Sequence, residues 1–528
     1  MFFKKNYENL AYLFTFTLII IFYLYSKNSL FSHWSDILDQ DVTLIYNSLL
    51  IASDPQEYLD HPAFTTIFIL NIFYKIGYIL NIVDVKNLNE LLNHPDKDSA
   101  LQSVHNFSQF IHFVYALILI LIFKKIINKI FNNNLSSFFL SLIFLISPSF
   151  IFLFDIIRSE ILSLILIFLF YTCLENSLKK NIFFIILSGV FFVCSMLAKV
   201  QVILCLFPIL ITFIINNIKI KNSKKIYISS TTKLITNIII VIFLVAVIDN
   251  FFYKRIDKIF FILIILFLIF AFSIPEKKLT GQKTTNIIFL LFLVGCSITL
   301  LGFKFLSKIG LIYFHPALID IITSPISQMS NISTGYGIGR SDNFEYIFKI
   351  KKFFFEVLSN HGDNKLRFLF NKFNILSYLI SFSFMVYFLK KKEYLKTILV
   401  LFLTTSIVLL VLIFNFRPYF FYDIYILPLN LILISVLIKE IPHKKILTFA
   451  ILIIYISFNL SNIKAGLSEK RNGGFFKHQA EANNSMKHIC KENEILNQSS
   501  YMRYWHKKYS ADFLRELCIS YYKKINLQ

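Results

Sequence analysis

Asp36, Asp39 and Asp41 sit close together in Trp34-Ser-Asp-Ile-Leu-Asp-Gln-Asp-Val-Thr, directly after the first apolar run of the chain. A carboxylate at a membrane surface can take a proton from an attacking hydroxyl or hold a divalent ion. Asp39 and Asp41 are two residues apart, which on a helix sets them about 200° from each other, so only one would face a common site; an extended segment would present both on one side. The structural alternative is that Asp41 caps a helix starting at Val42. Further along stand Asp60 and His61 in Tyr58-Leu-Asp-His-Pro-Ala-Phe-Thr-Thr, then Arg158 and Glu160 in Asp155-Ile-Ile-Arg-Ser-Glu, and Lys199 and Gln201 in Met196-Leu-Ala-Lys-Val-Gln-Val. Fixed cations at such places suit an anionic group, since ionic hydrogen bonds to phosphate give both charge and orientation. Arg158 could instead pair with Asp155 at helix spacing, and Lys199 could snorkel to lipid headgroups. Arg417, Tyr419, Tyr422 and Tyr425 would either close over a ligand or form an interfacial aromatic belt. Asp60 and His315 are a candidate metal pair whose alternative is solvation in loops.

The elements that must position these groups are membrane spans. The chain has 528 residues, 56% of them hydrophobic and 17% aromatic, with mean hydropathy +0.65. Its apolar residues come in blocks of roughly 18–20, the length that crosses about 30 Å of hydrocarbon. The net charge of +22 arises from short lysine clusters between those blocks, as expected for cytoplasmic loops. No phosphate-tracking basic stripe exists, which argues against nucleic acid as a partner. The abundance of Phe, Ile, Lys and Asn fits an AT-rich, bacterial genome.

Placing Lys124/Lys125/Lys129, Lys179/Lys180, Lys219–Lys225, Lys277/Lys278/Lys283, Lys390–Lys392 and Lys439–Lys445 inside, with an uncleaved N-terminal signal anchor, predicts thirteen spans. They fall at 11–26, 105–123, 135–154, 161–177, 181–198, 202–217, 234–250, 259–274, 286–303, 373–389, 397–414, 424–438 and 446–460. The expected fold is therefore an all-α integral membrane domain over 1–460, with long outward loops at 27–104 and 304–372 and an outward C-terminal segment at 461–528. Phe64–Val83 is left over from this threading. Asn71, Tyr74, Lys75, Tyr78 and Asn81 recur on one side of it, opposite Phe68, Ile72, Ile76 and Ile79, which predicts an interfacial helix with a wet polar face. Val42, Ile45, Leu49 and Ala52 predict a shorter one. Cys173, Cys194, Cys205 and Cys296 fall in spans and read as small buried side chains; Cys490 and Cys518 fall in the outward tail, where a disulfide is permitted.

The order of these motifs resembles that of GT-C glycosyltransferases of the protein-mannosyltransferase-like superfamily, which includes the lipid A aminoarabinose transferase and lipopolysaccharide galacturonosyltransferases. That family has an acidic motif in the first outward loop, similar to Asp39/Asp41, and then a His-Pro or Lys-Pro start to a juxtamembrane helix, similar to His61-Pro62. Members often have Pro-Pro where this chain has Pro62-Ala63. The resemblance covers about residues 30–215, with an echo at Arg417-Pro-Tyr-Phe-Phe-Tyr-Asp-Ile-Tyr-Ile-Leu-Pro428. It implies transfer of a sugar from a polyprenyl-phosphate donor to an envelope glycan, lipid or protein acceptor at the periplasmic face of a bacterial inner membrane. No nucleotide or redox cofactor is implied; a divalent metal ion remains compatible. The rival expectations are a transporter or flippase of lipid-linked sugars, which would carry mid-membrane charges or broken helices, and a non-catalytic scaffold.

Overall fold

The computed structural model describes residues 40–56, 63–154, 156–177, 183–217, 282–315, 318, 372–414, 423–439 and 441–472, with a few residues between 10 and 21. The predicted spans at 234–250 and 259–274, the tail with Cys490 and Cys518, and most of the 11–26 run lie outside the described residues. Within them the protein is helical without strands. Helix α1 covers Gln40–Leu50, α2 Phe64–Ile79, α3 Leu88–Asn93, α4 Lys97–Phe131, α5 Asn134–Leu145, α6 Pro148–Leu153, α7 Ser159–Ser177 and α8 Phe183–Ala198. A 3-10 turn at Val200–Val202 leads into α9, Ile203–Asn217, followed by α10 Gln282–Lys308, α11 Lys372–Lys390, α12 Tyr394–Phe414, α13 Asp423–Ile438 and α14 Lys444–Asn472.

Among the described residues, four stretches are long and apolar enough to cross a membrane: Lys97–Phe131, Ser159–Ser177, Leu291–Lys308 and Phe373–Lys390. Local chemistry sets several boundaries. Asp96 accepts from Ser99 N at the start of α4, and Asn133 from Ser136 N at the start of α5, each satisfying an orphan amide of a first turn. The run predicted as one span over 135–154 is two helices, because Pro148 cannot donate into a continuing helix and Ser147 caps the new one through Phe150 N.

Helix α13 is buried from Ile424 through Ile438. A helix apolar all round belongs at the centre of a bundle, and α13 packs there against α4, α9, α11 and α12. Helices α7 and α8 form a hairpin, and α8 crosses α10 at glycines: a Cβ on Gly295 would stand 2.0 Å from Ile186 O, and one on Gly189 2.3 Å from Phe292 O. Small residues at such a crossing let two backbones approach closely.

Polar contacts concentrate in two layers. His112 of α4 meets the carbonyl of Arg158 just before α7, and Lys129 of α4 meets Glu175 of α7. Seventeen residues separate the two contact points on each strand of this pair, or about 25 Å of helix, close to the thickness of a hydrocarbon core. Helices α4, α7, α9 and α13 run from the His112 layer to the Glu175 layer. Tyr425 of α13 bonds Ser163 in the first layer, while Asn216 and Lys439 bond each other near the second. Helix α8 returns.

A candidate anion-binding cluster at one end of the bundle

The first layer is built at helix ends. Lys199 has extended backbone (φ −158°, ψ 115°) between α8 and the 3-10 turn. Its Nζ lies 3.1 Å from Glu160 Oε1 in the first turn of α7, and both side chains are 1% exposed. A cation after a helix C-terminus and a carboxylate in a helix first turn each sit at the dipole end that favours them. Arg158, also buried, bears electrostatically on the same carboxylate. Among the described residues, two cations thus share one carboxylate. Where the sequence offered a phosphate ligand or a lysine snorkelling to headgroups, the fold turns the Lys199 side chain inward onto Glu160. Asp155, the expected partner of Arg158, lies outside the described residues.

His112, which the sequence reading passed over, holds the turn that delivers Arg158. Its Nε2 is 2.9 Å from Arg158 O and its Nδ1 3.2 Å from Ser108 O. Carbonyls only accept, so in the neutral ring the nitrogen at the shorter distance carries the proton. Ser108 donates to Val104 O at 2.7 Å, so its single hydroxyl proton is committed and Tyr74 OH must donate to Ser108 Oγ across 2.6 Å. The same logic orients Ser163: it donates to Glu160 O, and Tyr425 OH donates to it at 2.8 Å. Tyr425 is therefore a buried strut on α7, neither an interfacial belt residue nor part of a closing loop. The available signal was a lone histidine inside an apolar stretch, which is costly there unless it is bonded.

Several buried acceptors in and beside this layer have no hydrogen-bond partner: Glu160 Oε2, Gln201 Oε1 and, on α2, Asn71 Oδ1. Leaving such atoms unmade costs about 1–3 kcal/mol each. A carboxylate and two amide oxygens ask for donors, and hydroxyl groups are the natural ones.

The first-loop helices pack at this end. Thr65 of α2 donates to Cys194 O, less than two turns before Lys199, at 2.8 Å; Asn71 Nδ2 donates to Ser48 O of α1 at 2.7 Å. Helix α1 begins at Gln40, so Asp41 lies inside its first turn, not at the cap of a helix starting at Val42. The predicted wet face of Phe64–Val83 is divided: Asn71 and Tyr74 are buried and bonded, whereas Tyr78 and Asn81 are exposed, as are Ile72, Ile76 and Ile79 on the apolar side. Interhelical hydrogen bonding takes Asn71 and Tyr74 out of the expected wet face, because polar groups with partners in the protein gain little from facing water. Ala63, entering α2, has φ 35°, a left-handed conformation that proline at this position could not adopt.

Asp39, Asp60, His61, Arg417, Tyr419 and Tyr422 lie outside the described residues. His315 is half-buried and its carbonyl accepts from Leu318 N; among the described residues no three His, Cys, Asp or Glu side chains group as a metal site. Cys173, Cys194, Cys205 and Cys296 are free thiols. No protein-family model matches the chain, and no curated protein matches it.

Proposed function

We propose that this chain is a multi-pass membrane glycosyltransferase of about thirteen spans. It moves a sugar from a polyprenyl-phosphate donor to an acceptor at the membrane face that carries Lys199. The observation that carries this reading is the buried Arg158–Glu160–Lys199 cluster with its unpartnered acceptors. Cations gathered at one end of the bundle suit an anionic ligand, and buried acceptors without donors are costly until a ligand's hydroxyls meet them. Phosphate supplies the anion, and a sugar supplies the hydroxyl donors that Glu160 Oε2 and Gln201 Oε1 require. The lipid tail stays in the bilayer beside α10, while the first-loop helices bring Asp41 to the same end of the bundle.

Asp41, or Asp39 two residues before it, removes the proton from an acceptor hydroxyl. The oxygen attacks the anomeric carbon as the bond to the phosphate oxygen breaks, and the electron pair leaves with the lipid phosphate. One displacement inverts the anomeric centre. Phosphate is a competent leaving group, so positioning and charge stabilisation supply the rate. His61, Arg417, Tyr419 and Tyr422 complete the donor site in this reading, and a divalent ion is not required.

The test uses the purified full-length chain in lipid vesicles with a polyprenyl-phosphate sugar. Sugar release from the lipid phosphate, abolished by Asp41→Asn in protein that still inserts and accumulates, is the expected result. Movement of the intact lipid-linked sugar between leaflets without bond cleavage would make the chain a flippase, and neither activity would leave a scaffold. A Lys199→Gln variant with unchanged affinity for the donor would remove the cluster from the site.

A further inference from the structure

Arg158 stands just before the helical residues of α7, where the backbone is less constrained than inside a helix. His112 of α4 supplies a constraint there. Its ring is fully buried, and Nε2 donates to Arg158 O across 2.9 Å. The ring in turn has little freedom. One turn further along α4, the Tyr115 ring stands edge-on to it at a centroid distance of 5.3 Å. One turn back, the Ser108 carbonyl lies 3.2 Å from Nδ1. Helix α2 pins that earlier turn from the other side, because the buried Tyr74 hydroxyl donates to Ser108 Oγ at 2.6 Å.

The association of α4 with α7 does not depend on this bond. Phe123 packs on Phe168 at a centroid distance of 5.9 Å, and Lys129 pairs with Glu175 at the far end of the same two helices. What His112 adds is local: it fixes the backbone from which the Arg158 side chain starts. Arg158 and Lys199 reach Glu160 from different elements, the turn before α7 and the turn after α8. An anion held by both needs them at a set separation, and a misplacement of about 1 Å in a positioned group can cost roughly a hundredfold.

We propose that His112 is a positioning residue for the lipid phosphate: by holding the Arg158 carbonyl it sets the guanidinium against that phosphate, while Tyr74, Ser108 and Tyr115 set the ring. The first-loop helix α2 thereby bears on a cation of the cluster through one turn of α4. This inference rests on the donor-phosphate reading of the cluster and assigns a binding role to a side chain that acts only through Arg158.

Two substitutions separate the two contacts of the ring. His112→Gln carries an amide nitrogen at about the depth of the imidazole Nε2 and can keep the bond to Arg158 O. His112→Asn ends one bond sooner, near Nδ1, and can donate only to Ser108 O in its own helix. Each full-length variant, in lipid nanodiscs, is titrated with radiolabelled polyprenyl phosphate, the leaving group of the proposed reaction; polyprenol without the phosphate is the competitor. Misfolded protein lowers the number of sites and leaves the dissociation constant alone, whereas a displaced Arg158 raises the constant. The expected result is a near-parental constant for His112→Gln and one about ten- to a hundredfold weaker for His112→Asn, with polyprenol affinity unchanged in both. In an Arg158→Gln background, His112→Asn should add little further, because the interaction it supports is already gone. Parental constants in both variants, equal losses in both, or a full additional loss in the Arg158→Gln background would overturn the proposal and leave His112 a packing residue. A parent chain that does not bind polyprenyl phosphate would instead remove the donor reading itself, and the inference with it.

Discussion

The two polar layers of the bundle use similar parts to different ends. At each, one glutamate of α7 lies near cations: Glu160 with Lys199 and Arg158, Glu175 with Lys129. Around Glu175 the polar groups continue into a chain. Tyr171 OH donates to Glu175 Oε1 at 3.2 Å, Asn216 Nδ2 to Tyr171 at 3.1 Å, and Lys439 Nζ to Asn216 Oδ1 at 3.0 Å. Five side chains thereby tie α4, α7, α9 and the turn after α13, and Lys129 keeps 30% of its side chain in contact with solvent. Around Glu160 both paired groups are sealed and acceptors lack donors. A closed network rigidifies; an open one buried in low dielectric is costly unless something fills it. The contrast teaches that a buried ion pair alone does not mark a site. What distinguishes the Lys199 end is capacity left over after the pair is made.

The largest effect that would sharpen this contrast is Lys199→Met. Removing Lys199 takes from Glu160 its 3.1 Å ion pair and leaves the buried carboxylate with Arg158 alone; breaking a buried pair costs about 3–5 kcal/mol, which Arg158 reduces. Thermal unfolding in detergent should show a large fall in midpoint, and the double variant Lys199→Met/Glu160→Gln should recover much of it. No recovery would mean that the two residues are not coupled.

Next comes the crossing that both ends share. Gly295→Ala drives a methyl into the Ile186 carbonyl, and overpacking of this kind costs about 1–3 kcal/mol. It ought to loosen both layers together, which hydrogen exchange of α8 and α10 amides would report. Protection lost at one layer alone would separate the ends.

A smaller loss is expected for Glu175→Gln. The amide still accepts from Tyr171, and Lys129 can turn to solvent, so about 0.5–1.5 kcal/mol should go, without any change in affinity for a lipid phosphate. A loss matching that of Lys199→Met would erase the distinction between the layers. The smallest effect has the opposite sign. Ala63→Gly relieves a left-handed alanine and should stabilise by about 1 kcal/mol at most, whereas Ala63→Pro should destabilise; equal melting curves for the two would contradict the φ of 35°.

The sequence by itself determined the class. Apolar blocks, lysine clusters and breakers such as Pro148 are local features, and local features fix where helices lie and how far each can reach. Glu160, Lys199 and Gln201 were legible as candidates because ionisable and amide groups are rare at span ends, so their positions stand out without any partner being known. Tertiary structure decided who meets whom. Lys199 pairs with Glu160 across 39 residues, His112 holds a carbonyl 46 residues away, and Tyr425 reaches Ser163 over 262. None of these distances leaves a periodic trace. The orientation of α2 is the clearest case: its wheel showed two faces, but which polar residues turn inward depends on Ser48 and Ser108 waiting with partners. A hydrogen bond sealed inside protein outweighs the hydration that the same group would have at the surface, and that balance exists only once the helices are assembled.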